Sequence, residues 1–188
     1  MKTREPIVYR VNGDDEITFV NTAWDSAALE RGDHRVLSAE VLGKPLSNFI
    51  SDPTTRELFD RIIVAARRGN RVEFQYRCDL PDERRVMKMS IRKLGGDGDV
   101  EFVSTLVSSE PRPSQAIFEE LEHRTDEFLK ICGWCQKVNV DQDLWLEVEE
   151  AVEALGLFKK DRLPDISHGI CPACYAHLIV EIRQLSDK

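Results

Sequence analysis

Two cysteine pairs govern what this chain can become. Cys132-Gly133-Trp134-Cys135 and Cys171-Pro172-Ala173-Cys174 are each a C-x-x-C, and 35 residues separate them. One such knuckle supplies two thiolates from a single tight turn, and two knuckles complete the four soft ligands of a tetrahedral metal. Convergence on one point forces the segment between them to fold back on itself. The spacing therefore points to a small closed module in which Cys132, Cys135, Cys171 and Cys174 hold a structural zinc. Iron in the same sulfur geometry, or two redox-cycling dithiols, are the competing readings. Four protein ligands leave no open metal position, so metal-centred catalysis is not expected. The c-type haem signature is missing, because Gln136 and Tyr175 follow the knuckles where His would stand.

Size and charge narrow the partners. The 188 residues suffice for one domain of ordinary size with a small appendage, and 41% hydrophobic residues supply a core. The net charge of −8 repels phosphate backbones. The densest basic stretches, Arg67-Arg68 with Arg71 and Arg84-Arg85 with Lys88, are short and interrupted by acids. They read as solvated faces, so no nucleic-acid partner is expected. No signal peptide and no apolar run of spanning length stand in the chain, which points to a cytoplasmic protein off the membrane. Structural disulfides are rare in that compartment, which favours metal over cross-links. Cys78, outside the knuckles, reads as a packed small hydrophobe. Ser167 and His168 are sequence neighbours and cannot set up nucleophile–base geometry. No phosphate loop, kinase motif or cyclase motif is present, and no catalytic residue is assigned: the chain reads as a non-enzyme.

Taken in order, residues 6–11 and 16–20 read as a hairpin about the turn Asn12-Gly13-Asp14-Asp15. A short helix follows over 23–30, with Asn21 or Thr22 as its cap and Gly32 beyond its end. Asp52 and Pro53 open a clearer helix running to about Arg68, whose Leu58, Ile62, Ile63 and Ala66 fall at helical spacing. Three alternating runs come next. Val72, Phe74, Tyr76 and Cys78 share a face, as do Met87, Met89 and Ile91, and then Val100, Phe102, Ser104 and Leu106. The turns between them fall at 80–83 and 95–98. The order of elements specifies an α+β domain with a five-stranded antiparallel sheet and flanking helices.

The stretch from Asn12-Gly13 through Ile17-Thr18-Phe19-Val20-Asn21-Thr22-Ala23-Trp24 resembles the opening of a PAS (Per-Arnt-Sim) sensory domain. Val41-Leu42-Gly43-Lys44-Pro45-Leu46 ahead of the Asp-Pro helix is similar to the middle of one. The resemblance implies a PAS-like sensory domain over 1–110, with a small unidentified ligand between sheet and helices or a second PAS domain as its partner. The Asp-x-Thr that usually follows the last strand is replaced by Val107-Ser108-Ser109-Glu110.

Pro111-Arg112-Pro113 reads as a boundary. Residues 111–131 are expected to be a linker and connecting helix, capped by Ser114, with Ile117, Leu121, Phe128 and Ile131 on one side. That stripe suggests a homodimer paired through the helix or across the outer face of the sheet; the alternative is a monomer with the helix packed on the sheet. Residues 132–188 are expected to form a small helical zinc-binding module. Its helices are predicted at 142–155, capped by Asp141 and carrying Leu144, Trp145, Val148, Val152 and Leu155, and after Cys174, carrying Leu178, Ile179, Ile182 and Leu185. Ile131-Cys132-x-x-Cys135, the Trp145 segment and Ser167-His168-Gly169-Ile170-Cys171-Pro172-x-Cys174 together look like a C-terminal module of some bacterial sensory proteins, over 128–180. His168 is expected beside the metal, holding a thiolate or backbone group, with metal ligation the alternative. The functional expectation is a bacterial sensory or regulatory protein in which the PAS-like domain acts through the helix and the zinc module on a partner protein. A redox protein with iron or cycling thiols, and a purely structural PAS adaptor, are the alternatives.

Overall fold

The side chain of Asn12 closes the first hairpin, its Oδ1 accepting hydrogen bonds from the backbone N–H groups of Asp14 and Glu16 at 3.0 and 2.9 Å. The computed structural model describes residues 4–95, 98–119 and 124–186. The hairpin strands are β1 (Ile7–Val11) and β2 (Ile17–Val20). Helix α1 (Thr22–Glu30) follows, and Asn21 stands at its N-cap position without a capping hydrogen bond. Its side chain instead accepts from the Val8 N–H at 3.0 Å and donates to the Pro6 carbonyl at 2.8 Å, tying the helix entry to β1. The single turn α2 (Ser38–Val41) leads to α3 (Pro53–Arg67). Asp52 caps α3 by accepting from the Thr55 N–H, and Leu58, Ile62, Ile63 and Ala66 are buried as their spacing predicts.

Three strands complete the first sheet: β3 (Val72–Arg77), β4 (Glu83–Lys93) and β5 (Val100–Pro111). The sheet is antiparallel throughout, in the order β2-β1-β5-β4-β3. The central strand β5 is thus the last in sequence, which closes the domain. The fold is the expected α+β one, a five-stranded antiparallel sheet with flanking helices. On the outer face Glu101 of β5 accepts from Arg10 of β1 at 2.9 Å and from Arg92 of β4 at 2.6 Å. Burial opposes the ionisation of Glu101, but these two guanidiniums outweigh it and hold the carboxyl below its ordinary range.

Beyond residue 110 the chain departs from expectation. β5 does not stop before Pro111; Glu83 pairs with Pro111 itself. The connecting helix over 114–131 is replaced by a single 3-10 turn, Ala116–Phe118, and by strand β6 (Thr125–Cys132). The residues carried a period of two: Leu129 and Ile131 are buried while Lys130 between them is exposed. Ile117 is buried in the core of the second region, and Phe128 is 67% exposed, so they share no stripe. Leu121 lies outside the described residues, as do Gly96 and Asp97 of the predicted 95–98 turn and the side chain of Leu185.

The second region is not purely helical either. A hairpin of β7 (Val138–Asp141) and β8 (Leu144–Leu146) occupies the start of the predicted 142–155 helix, so Trp145 lies on a strand opposite Asn139. Helix α4 (Val148–Ala154) begins only after Glu147, whose side chain and that of Glu150 form a reciprocal capping box. Gly156, at φ 61°, takes the left-handed conformation that ends it. Strand β9 (Pro164–Gly169) runs parallel to β6, giving a second sheet in the order β8-β7-β6-β9, and α5 (Pro172–Ser186) follows. Ile117, Leu129, Ile131, Val138, Val148 and Val152 are among the side chains that form a small core here. The knuckles and α5 pack elsewhere: Trp134, Ile170, Cys171, Leu178, Ile179 and Ile182 belong to the same buried cluster as Leu58, Ile62, Phe74 and Phe102 of the first region. Among the described residues no helix is long and apolar enough to cross a membrane.

Candidate metal centre and the adjoining cavity

Parallel pairing of β6 with β9 places the C-terminal ends of both strands side by side. Cys132 is in register with Gly169, and the Gly133 N–H donates to the Gly169 carbonyl at 2.8 Å. Each strand therefore runs into its own knuckle at the same end of the sheet. The first knuckle turns back through Gln136, at φ 59°, with the Gln136 N–H on the Cys132 carbonyl and the Cys132 N–H on the Lys137 carbonyl. The second runs directly into α5, with Pro172 as its first residue, where a missing N–H costs nothing. The orphan amides at this helix end point at sulfur. The Cys174 N–H donates to Cys171 Sγ, and the Cys171 N–H reaches across to Cys132 Sγ, both at 3.4 Å.

The four sulfurs of Cys132, Cys135, Cys171 and Cys174 lie within 4.8 Å of one another, and Cys135 Sγ and Cys171 Sγ are 3.8 Å apart. A regular tetrahedron with metal–sulfur bonds of about 2.3 Å has edges of about 3.8 Å. All four are free thiols. Cys132 and Cys171 are buried, and Cys135 and Cys174 are half-buried. Their proximity splits their acidities. Thiol hydrogen bonds from Cys135 and Cys174 pull Cys132 down to about 2. The neighbouring Cys132 sulfur pushes Cys135 up to about 12, and Cys174 is driven up by Cys132 and Cys135. Four such groups ionise together only around a cation. The donor set, its spacing and the amides directed at sulfur all fit a tetrahedral metal. His168, in register with Ile131 and exposed on β9, is not one of the converging donors.

The first knuckle also carries the contact between the two regions. Trp134, between the two cysteines, is 8% exposed, and its ring lies 5.9 Å from those of Phe59 on α3 and Phe74 on β3. Its carbonyl accepts from the Arg77 N–H at 2.7 Å, at the free edge of the first sheet. Ionic contacts frame this joint. Lys130 of β6 donates to Asp52 at 2.9 Å, and Gly169 leaves room for the pair, since a Cβ there would stand 2.2 Å from the Lys130 side chain. Arg77 bridges the buried Asp79 and Glu147 at 2.5 and 2.6 Å, and Arg112 lies 3.2 Å from Asp79 and 3.5 Å from Glu149.

A cavity of about 660 Å³ lies between the first sheet and its helices. Trp24, Phe49, Phe59, Met87, Met89 and Leu106 are among its apolar walls. Phe59 thus faces the cavity and touches Trp134. Sequence reasoning located the sheet and helices but not this shared wall, because it joins residues 75 positions apart. Cys78 lines the cavity, half-buried, with the Arg31 guanidinium 3.1 Å from its sulfur.

No family model matches the chain, and no curated protein does. Solved structures with some likeness include the crystal structure of a sensory box sensor histidine kinase from Vibrio cholerae, at 12% identity and a TM-score of 0.42 over 55% of this chain and 82% of that one. Another is the photoactive yellow protein domain from the sensor histidine kinase Ppr of Rhodospirillum centenum, at 12% identity and a TM-score of 0.36 over 53% and 83%.

Proposed function

We propose that the chain is a bacterial sensory protein of the cytoplasm without catalytic chemistry of its own. A small ligand enters the cavity of the PAS-like domain, a structural zinc on Cys132, Cys135, Cys171 and Cys174 holds the second region, and that region acts on a partner protein. The observation that carries this reading is the double role of Phe59, cavity wall on one side and neighbour of Trp134 on the other. A change in cavity occupancy alters the packing of Phe59, and Trp134 transmits it into a knuckle whose two ends are pinned by the metal. The route is direct packing and needs no connecting helix. The homodimer expected through that helix loses its seam; of the surfaces named for it, the outer face of the first sheet remains. Thiolate donors and closed four-coordination suit zinc, which in such sites contributes directly to folding. The test is native mass spectrometry of the chain purified under reducing conditions, with elemental analysis and a visible spectrum. One zinc per chain, no visible absorption and a retained small molecule are expected. An Fe(III)–thiolate spectrum would replace this reading with a redox protein, and a zinc-bound chain that takes up no small molecule would make it a structural adaptor.

A further inference from the structure

One corner of the cavity is rich in hydrogen-bond donors and poor in free acceptors. Tyr9, 7% exposed and stacked on Phe102 at 4.4 Å, lines the cavity with a hydroxyl that has no hydrogen-bond partner among the described residues. Tyr76 and Ser104 also line it and share one hydrogen bond at 2.6 Å. Only one hydroxyl of that pair donates to the other, so the second proton is free to turn to a ligand. Burial holds both tyrosines in the protonated, donating form, Tyr76 being pushed up to about 12. Arg31, exposed, and Arg85, buried, also line the cavity. Arg85 is occupied, by Glu30 at 2.9 Å and the Cys78 carbonyl at 2.7 Å. Arg31 has no carboxylate partner among the described residues; its hydrogen bond goes to the Cys78 sulfur, a weak acceptor. The acids that line it are engaged elsewhere: Glu30 by Arg4 and Arg85, Asp33 by Arg35, and Glu5 by the Asn21 amide.

An apolar chamber with unused hydroxyl donors and one guanidinium lacking a counter-charge is complementary to a molecule with an apolar body and an anionic, acceptor-only head. We infer that the cavity binds a small apolar monocarboxylate, its body among Trp24, Phe49 and Phe59 and its carboxylate between Arg31 and the Tyr9 and Tyr76 hydroxyls. This rests on the reading of the cavity as a ligand site and adds the chemical class. A carboxylate replacing the thiol as the partner of Arg31 turns a weak contact into a charge-assisted pair, which sets the preference for acid over alcohol.

The test is isothermal titration of the full chain with octanoate, decanoate and 2-naphthoate, each set against its primary alcohol. At least one carboxylate is expected to bind about tenfold or more tightly than its alcohol. Arg31→Ala should erase that preference while leaving alcohol binding unchanged, and Tyr9→Phe, which keeps the ring stack, should weaken the carboxylate several-fold. If an alcohol binds as well as its acid, the carboxylate assignment is overturned while the cavity stands as a ligand site. If none of the six compounds binds, the ligand reading of the cavity falls with it.

Discussion

The two regions of this molecule solve the same problem by different means. The first closes a five-stranded antiparallel sheet over its own apolar face, with Val11, Ile91, Val100 and Phe102 fully buried and α3 laid across them. Its order follows from local hairpins and one returning strand. The second has a sheet whose outermost pairing, β6 with the edge strand β9, is parallel and joins residues almost forty positions apart, and the side chains of its own core are few. Small cores seldom offset the chain entropy of such long connections. It is tied down instead at one end by four thiols and at its flank by Trp134 and Arg77. A region that supplies most of its own core is weakened by the loss of a neighbour; a region pinned at two points depends on both pins.

The largest expected effect comes from removing the metal pin. Cys171→Ser should lose zinc and loosen residues 128–186, given apparent coupling energies of order 10 kcal/mol in structural zinc sites. Cys78→Ser should keep its zinc. Zinc per chain and limited proteolysis report both. A Cys171→Ser chain with a full zinc equivalent that resists cleavage after residue 131 would overturn the four-thiolate assignment, and loss of zinc from His168→Ala would bring that residue into the ligand set.

Trp134→Ala removes the other pin. Truncating a buried aromatic costs about 3–5 kcal/mol, and here the cavity opens between the regions. The variant should hold its zinc yet unfold at lower denaturant by probes of either region. A first sheet whose midpoint does not move would show that the regions do not share the packing described for Trp134.

The smallest effect lies within the first sheet. The Glu101 carboxyl is held below its ordinary range, so its contribution is full above the unfolded value of about 4.3 and is lost as pH falls through the folded value. Glu101→Gln should cost about 1–2 kcal/mol at pH 7, and the gap to the parent chain should close in strong acid. Any acid release of a metal from the four thiols would be common to both chains and would cancel in the difference. Paired urea melts at pH 7 and at successively lower pH decide it: a gap that does not narrow below about pH 4.3 means packing, not charge, accounts for the loss.

How much of this could be read from the residues depended on the range of the interactions. Helix α3 announces itself through Asp52, Pro53 and a buried face spaced three and four apart. The first sheet does so through clean alternation. The cysteine cluster was legible because knuckle spacing is a local signature of a non-local event. β6 is not legible, because Ile117, Leu121, Phe128 and Ile131 fit a helical stripe and the Leu129–Lys130–Ile131 alternation is too short to displace it. β7, β8 and β9 are three to six residues long, too short for periodicity to decide, and the residues around Trp145 fit a helix as well as a strand. Neither the cavity's donor-rich corner nor the seat of Trp134 has any sequence signal, since each gathers residues from several elements.

The hydrogen bond from the Arg77 amide to the Trp134 carbonyl bears on solubility. β3 is an outer strand of the first sheet, and an outer strand with open amides and carbonyls is a template on which another chain can add. The first knuckle occupies one of those positions, and its indole lies over the apolar side chain of Phe74 beside it. Opening of the first knuckle would therefore bare a sticky margin on the first sheet. A metal held by the four thiols would guard the sheet against self-association as well as holding the second region in place.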